Sequence, residues 1–304
     1  MILHENKDFF TQVLTDTAAF LGLSDTGIVE KDYFVTFFLQ KLAKRQPDVI
    51  FRGGTSLSKC HKLINRFSED IDLNLDTEAS KLTEGQRKRL KQDIISIIED
   101  AGFVLENPEQ IRSRRDFNRF LIGYPSASPV PFLKPHLIVE TAVCIKSFPT
   151  KTMEAASLVY DFLAAQNATQ EIEKCGLFPF SVKVQSIERT FIDKVFAIAD
   201  YYLDGRVDMH SRHIYDLYKL YPHIAFDDTF KQLVAEVCEV RKSHITCLSA
   251  QDDIDLPRLL RKIVSEDYFK ADYNQITGTL LFEDSPYENA ITVIQRVLDD
   301  GCFA

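Results

Sequence analysis

The chain has 304 residues, 45% of them hydrophobic and 27% charged, with a net charge of −9. That length suits one large core or two modest domains, and the composition is that of an ordinary globular protein. The acidic balance excludes a generally basic nucleic-acid coat and leaves room only for a local patch. No apolar run approaches the ~20 residues of a membrane span. The first ten residues lack a signal peptide's charged-then-apolar layout, so a cytoplasmic protein without a membrane partner is expected. Six cysteines, at 60, 144, 175, 238, 247 and 302, show neither a CxxC pair nor zinc spacing. They read as buried or free thiols of a reducing compartment.

Residues 5–21 have helical periodicity, with Phe9, Phe10, Val13, Leu14 and Leu21 on one stripe. A second helix is expected from about residue 26 to residue 44. Its early turns carry Glu30, Lys31 and Asp32, either as a solvated, dipole-matched start or as support for a nearby site. Pro47 and Asp48 close it, and a strand begins at Val49.

Residues 51–75 organise the rest: FRGGTSLSKCHKLINRFSEDIDLNL. A strand runs into Gly53 and Gly54, a helix follows to about residue 65, and a second strand carries Asp70 and Asp72. The glycines allow backbone N–H groups to approach a phosphate, and the helix aims its positive end at the same place. Residues two apart on a strand share a face, so Asp70 and Asp72 project together. Phosphate-cradling turn plus paired carboxylates for Mg²⁺ is what phosphoryl or nucleotidyl transfer needs. Lys59, one turn beyond the glycines, either reaches a bound phosphate or is a surface lysine.

An amphipathic helix is expected over 83–101 and a strand over 103–106. The densest basic segment is 112–119, with Phe117 interleaved. Together with Arg87, Lys88, Arg89 and Lys91 it reads as an RNA-backbone contact or as a solvated face. The prolines at 125, 129, 131 and 135 mark a loop. Residues 136–143 then form a strand in which Glu140 offers a third carboxylate, costly there unless paired or metal-bound. Residues 148–170 read as a connection with a short helix. From about residue 181 the chain is expected to be mostly helical, with Ser186 capping one helix, Lys194 in its middle and Gly205 at its end. In the next helix Arg212 and Asp216 are four apart, as a helix ion pair would be. Residues 226–303 suggest three or four more helices and carry no motif.

Taken together, these residues resemble the AbiEii/AbiGii toxin family, a branch of the polymerase-β-like nucleotidyltransferases. The matches are Glu30-Lys31-Asp32-Tyr33, the turn from Phe51 and Arg52 to Lys59, the stretch Arg66-Phe-Ser-Glu-Asp-Ile-Asp-Leu73, Glu140, Lys194, Arg212 and Asp216. His213 departs from the pattern, since many relatives have a second aspartate there.

The resemblance implies an α+β fold: a nucleotidyltransferase domain over 1–165, with a mixed sheet flanked by helices, then a mostly helical domain over 166–304 that contributes to the nucleotide pocket. It implies that Asp70, Asp72 and Glu140 hold Mg²⁺ or Mn²⁺ at an NTP. Arg52, Gly53, Gly54, Thr55 and Ser56 would seat the phosphates, with Lys59 nearby and Lys194 as a further charge. Arg212 and Asp216 would shape the pocket. Ser68 would face the same cleft if its strand begins early, and phosphate or nucleotide added there would block the site. The implied activity is nucleotide transfer to an RNA acceptor, with tRNA the expected one, by the toxin of a toxin–antitoxin pair whose antitoxin is encoded beside it. A small-molecule nucleotidyltransferase of the antibiotic-modifying kind and a non-catalytic nucleotide-binding module are the alternatives.

Overall fold

The computed structural model describes all residues except 77–80, 114–115, 129–133, 144 and 304. Pro129, Pro131, Arg114, Arg115 and Cys144 lie outside the described residues. The chain divides into two units. The first comprises residues 1–61 and 68–184, the second residues 62–67 and 185–304.

In the first unit, helices α1 (Lys7–Leu21) and α2 (Thr26–Arg45) precede strand β1 (Val49–Arg52). Asn6 caps α1 through the Phe9 N–H, and Asp25 caps α2 through the Gly27 N–H. A helical run follows, α3 (Gly53–Ser56) continuing into a π-helical turn (Leu57–His61). Next come β2 (Asp70–Leu75), α4 (Glu84–Asp100), β3 (Val104–Leu105), β4 (Phe117–Gly123), β5 (Leu137–Ala142), β6 (Thr150–Ala155), α5 (Leu158–Ala165), α6 (Thr169–Cys175) and β7 (Phe180–Gln185). Thr83 and Gln86 form a capping box that starts α4.

The strands make one mixed seven-stranded sheet in the order β3-β4-β5-β2-β1-β7-β6. Strands β2 and β5 run parallel, while β1–β2 and β4–β5 are antiparallel. Alternation sorts the two faces. Phe51, Ile71, Leu73, Phe120, Ile122 and Val139 enter a core with Phe34 and Phe38 of α2 and Ile94 and Ile97 of α4. The other face carries Arg52, Asp70, Asp72, Glu140, Arg119 and Phe117.

The expected boundary after residue 165 moves to 184. Strand β7 continues the sheet by pairing in parallel with β1, Lys183 beside Ile50 and Val184 beside Phe51. Residues 180–185 were expected to open the helical half. They are a short strand with Val182 and Val184 inward, and β6 likewise replaces an expected connection.

The second unit is built on α7 (Ile187–Leu203), α8 (Arg212–Leu220), α9 (Asp228–Lys242) and α10 (Leu256–Ser265). Short helices α11 (Lys270–Asp272), α12 (Gly278–Leu280) and α13 (Tyr287–Ala290) lead to α14 (Thr292–Asp300). Ser186 caps α7 as expected, accepting from the Arg189 N–H. Residues 62–67 do not continue the α3 helix to residue 65. They join this unit instead: the Phe67 N–H donates to the Leu280 carbonyl and the Phe282 N–H to that of Asn65.

Candidate active site

Strand β2 places Asp70 and Asp72 half-buried on the polar sheet face, with Ile71 and Leu73 fully buried behind them. Across the neighbouring strands Arg52, Asp72, Glu140 and Arg119 stand in register as one row. Register partners share a face, so this row alternates from a cation through two carboxylates to a second cation.

Gly53 begins the turn beside Asp72 with φ +76°, and a Cβ built there would lie 2.0 Å from Asp72 Oδ2. Glycine is therefore demanded twice, by the left-handed backbone and by the carboxylate against it. The first N–H groups of the following helical run lack intrahelical acceptors by construction. Arg52 Nε is buried with no hydrogen-bond partner among the described residues. A buried orphan donor is costly, and an anion bound at the turn would satisfy it.

The hydroxyls and the lysine expected to seat phosphates are committed elsewhere. Thr55 Oγ1 donates to the Asp70 carbonyl at 2.6 Å and pairs with Ser68 Oγ at 2.9 Å. Ser56 Oγ donates to the Gly53 carbonyl at 2.9 Å, closing its own turn. Strand β2 begins at Asp70, later than the early start expected for Ser68, whose hydroxyl meets Thr55. Lys59 is buried, and its ammonium donates to Asp32 Oδ1, to the Asp32 carbonyl and to Thr36 Oγ1 at 2.6 Å. With three N–H groups spent on α2, it holds none for a phosphate. These four side chains brace the turn; its backbone is what faces outward.

The Glu30-Lys31-Asp32 run resolves as support. Glu30 is fully buried and accepts from Ser126 Oγ and the Ala127 N–H, both 2.6 Å, and from the Ser128 N–H. Lys31 pairs with Glu69 and donates to the Lys134 carbonyl. Burial lowers the Lys31 pKa, and Glu69 opposes that. Asp32 holds Lys59 and the Leu158 N–H. Three consecutive residues thus fasten several distant segments of one unit.

One cation, Lys134, escaped the sequence reading, and Arg119 was read there only as part of the basic 112–119 segment. Lys134 Nζ lies 3.1 Å from Asp70 Oδ1, its backbone pinned by Lys31. Arg119 Nε donates to Glu140 Oε1 at 2.6 Å. Among the described residues no three His, Cys, Asp or Glu side chains gather as a metal cluster, and Glu140 stands beside Asp72 in the strand register. Two hard carboxylates beside a phosphate turn still fit Mg²⁺, which takes one or two protein carboxylates and fills its octahedron with water and substrate phosphates.

Within the second unit, Asp216 is fully buried. Arg66 grips it with two parallel bonds of 2.7 Å, and Lys194 donates to Oδ2 at 2.6 Å. Burial pushes the Asp216 carboxyl up, but Arg66 and Lys194 outweigh it and hold the group well below the usual carboxylate range. Asp216 thus takes these two cations from outside its own helix. Lys194 lies 3.3 Å from His213 Nδ1. An ammonium only donates, so Nδ1 accepts and the imidazole is neutral. No local pattern marks Arg66 for this role, because its partner lies 150 positions away.

A profile of the family described as "Nucleotidyl transferase AbiEii toxin, Type IV TA system" matches residues 38–295. The chain belongs to the AbiEii family. It is a nucleotidyltransferase toxin of the type IV toxin–antitoxin class. The fold is similar to that of MenT4, a nucleotidyltransferase toxin from Mycobacterium tuberculosis H37Rv. That likeness has a TM-score of 0.58 at 16% identity, and covers 96% of this chain and 88% of that one. Among curated proteins no relative is found by sequence. The expected α+β class with a mixed, helix-flanked sheet is what the AbiEii chain has. Among the described residues no helix is long and apolar enough to cross a membrane.

Proposed function

We propose that this AbiEii enzyme transfers a nucleotide from an NTP to an RNA acceptor, tRNA foremost, with Asp70 and Asp72 holding Mg²⁺ or Mn²⁺. The observation that supports the reading is the Asp72 carboxylate packed on Gly53, a carboxylate against the turn whose N–H groups would receive phosphate. When bound, the metal neutralises phosphate charge and acidifies an attacking hydroxyl.

The chain's own groups do the rest. The N–H groups at the start of the 53–61 helical run receive phosphate oxygens, as helix N-termini do. Arg52 Nε, buried and without a partner among the described residues, gains an acceptor when an anion arrives. Lys134 and Arg119 balance Asp70 and Glu140, which lowers the cost of several carboxylates on one face. Thr55 and Ser68 fix the Asp70 backbone, so its carboxylate is aimed before substrate binds. The Arg66–Asp216–Lys194 cluster, with Arg212 heading α8 beside it, is read as the charge core of the second unit.

The test is transfer of label from each of the four NTPs to total tRNA with Mg²⁺ or Mn²⁺. Labelled tRNA from the wild-type chain and none from Asp72→Asn is the expected result. No transfer with any nucleotide and either metal overturns the reading. Growth arrest on expression, relieved by a neighbouring antitoxin gene and by Asp72→Asn, is the cellular counterpart.

A further inference from the structure

Strand β4 sorts its side chains between two environments. Asn118 and Phe120 face α4, where they line a small cleft with Arg87, Lys91 and Ser113. Phe117 and Arg119 face the other way, and both are open: Phe117 is 47% exposed and the Arg119 side chain 55%. Arg119 therefore does not share a patch with the basic residues of α4. Arg87 is paired to Asp116, which removes it further from any phosphate.

Arg119 belongs to the row Arg52, Asp72, Glu140, Arg119, and Phe117 lies two residues along β4 from it. Strand spacing and rise put Phe117 at ~12 Å from Asp72 across the same face. An exposed phenyl ring costs free energy in water and is normally buried. An open ring next to a half-exposed guanidinium offers a flat π surface and, beyond the edge paired with Glu140, a planar cation. Unpaired bases stack on such rings irrespective of sequence, and the guanidinium meets phosphate or stacks in turn.

We propose that Phe117 and Arg119 form the platform on which the single-stranded 3′ end of the RNA acceptor lies, leading its terminal hydroxyl toward Asp70 and Asp72. The inference rests on the reading of the acceptor as RNA and adds where that RNA is held. Charge complementarity and continuity with the carboxylate row select this occupant. A protein partner would not need the aromatic and the cation to run in line with the transfer residues.

The chain contains no tryptophan, so Phe117→Trp installs a sole tryptophan at the platform. Its fluorescence is read during titration with a single-stranded RNA ending in a free 3′ hydroxyl, and with tRNA. Phe20→Trp, on α1 and 50% exposed, is the control. Quenching at position 117 and not at 20, saturating with RNA, is the expected result. Phe117→Leu keeps apolar bulk without an aromatic face and should raise the KM for RNA ~10-fold, leaving the KM for NTP unchanged. If wild-type enzyme labels RNA but Phe117→Trp is not quenched and Phe117→Leu keeps its KM, the platform is overturned while the function stands. If wild-type enzyme labels no RNA and RNA does not quench, both fall.

Discussion

Two aspartates of this chain meet cations in opposite settings. Asp70 stands on a polar sheet face with a flexible lysine beside it, whereas Asp216 is fully buried between Arg66 and Lys194. The first carboxylate can exchange its partner for an arriving ion, because water and a long side chain make the exchange cheap. The second cannot, since removing either cation strands a charge in the interior. Residue type is the same; burial decides which of the two can exchange its partner.

The largest effect should come from the open side of that comparison. Asp72→Asn keeps the shape and removes the charge, so transfer should fall by ~10³-fold or more while thermal unfolding shifts little. Label transfer to RNA and calorimetry on the same preparation check both halves. Gly53→Ala probes the same pair from the turn. Its new methyl would overlap Asp72 Oδ2 in a backbone that L residues rarely adopt. Activity should fall with it, and a structure of the variant should show Asp72 displaced.

On the buried side, Asp216→Asn should cost ~3–5 kcal/mol of stability, because Arg66 and Lys194 then keep like charges together without their counter-ion. Urea unfolding of the two chains measures it. A loss below 1 kcal/mol would mean the cluster tolerates rearrangement, and the contrast with Asp72 would weaken.

How far the sequence carried this picture depends on range. Asp70, Asp72 and the two glycines lie within twenty residues of one another, and strand alternation with glycine chemistry is local, so they were readable. Lys59 was misjudged because a lysine one turn past a phosphate turn has the same spacing whether it faces the ligand or, as here, Asp32 on α2. Arg66 and Asp216, or Lys31 and Glu69, are paired by the tertiary fold alone, and no periodicity announces it. Strand β7 was hidden because six residues alternating beside a well-capped helix look like its approach. Phe117 and Arg119 were visible as residues, but their opposition to Asn118 and Phe120 needed the strand's register.

The smallest expected effect concerns pH and again sets enclosed groups against open ones. His213 is held well below its usual pKa by burial first and then by Lys194 and Arg212. His210, stacked on Tyr201 with ring centroids 3.6 Å apart, is lowered to about 4 by burial, Arg212 and Arg206. A depressed imidazole stays neutral in the fold while the unfolded chain takes up a proton below pH ~6.5. The unfolded state then binds more protons, so stability is full above pH ~7 and declines as pH falls toward 5. The slope should be at most ~1.4 kcal/mol per pH unit for each ring. Asp216 adds nothing in that window, since its carboxyl titrates far lower and its contribution is lost only in stronger acid. His213→Gln, which keeps an acceptor for Lys194, should flatten the pH 5–7 profile of the unfolding midpoint. An unchanged slope in that variant would place the proton uptake elsewhere and leave Lys194 without the neutral acceptor that its 3.3 Å contact requires.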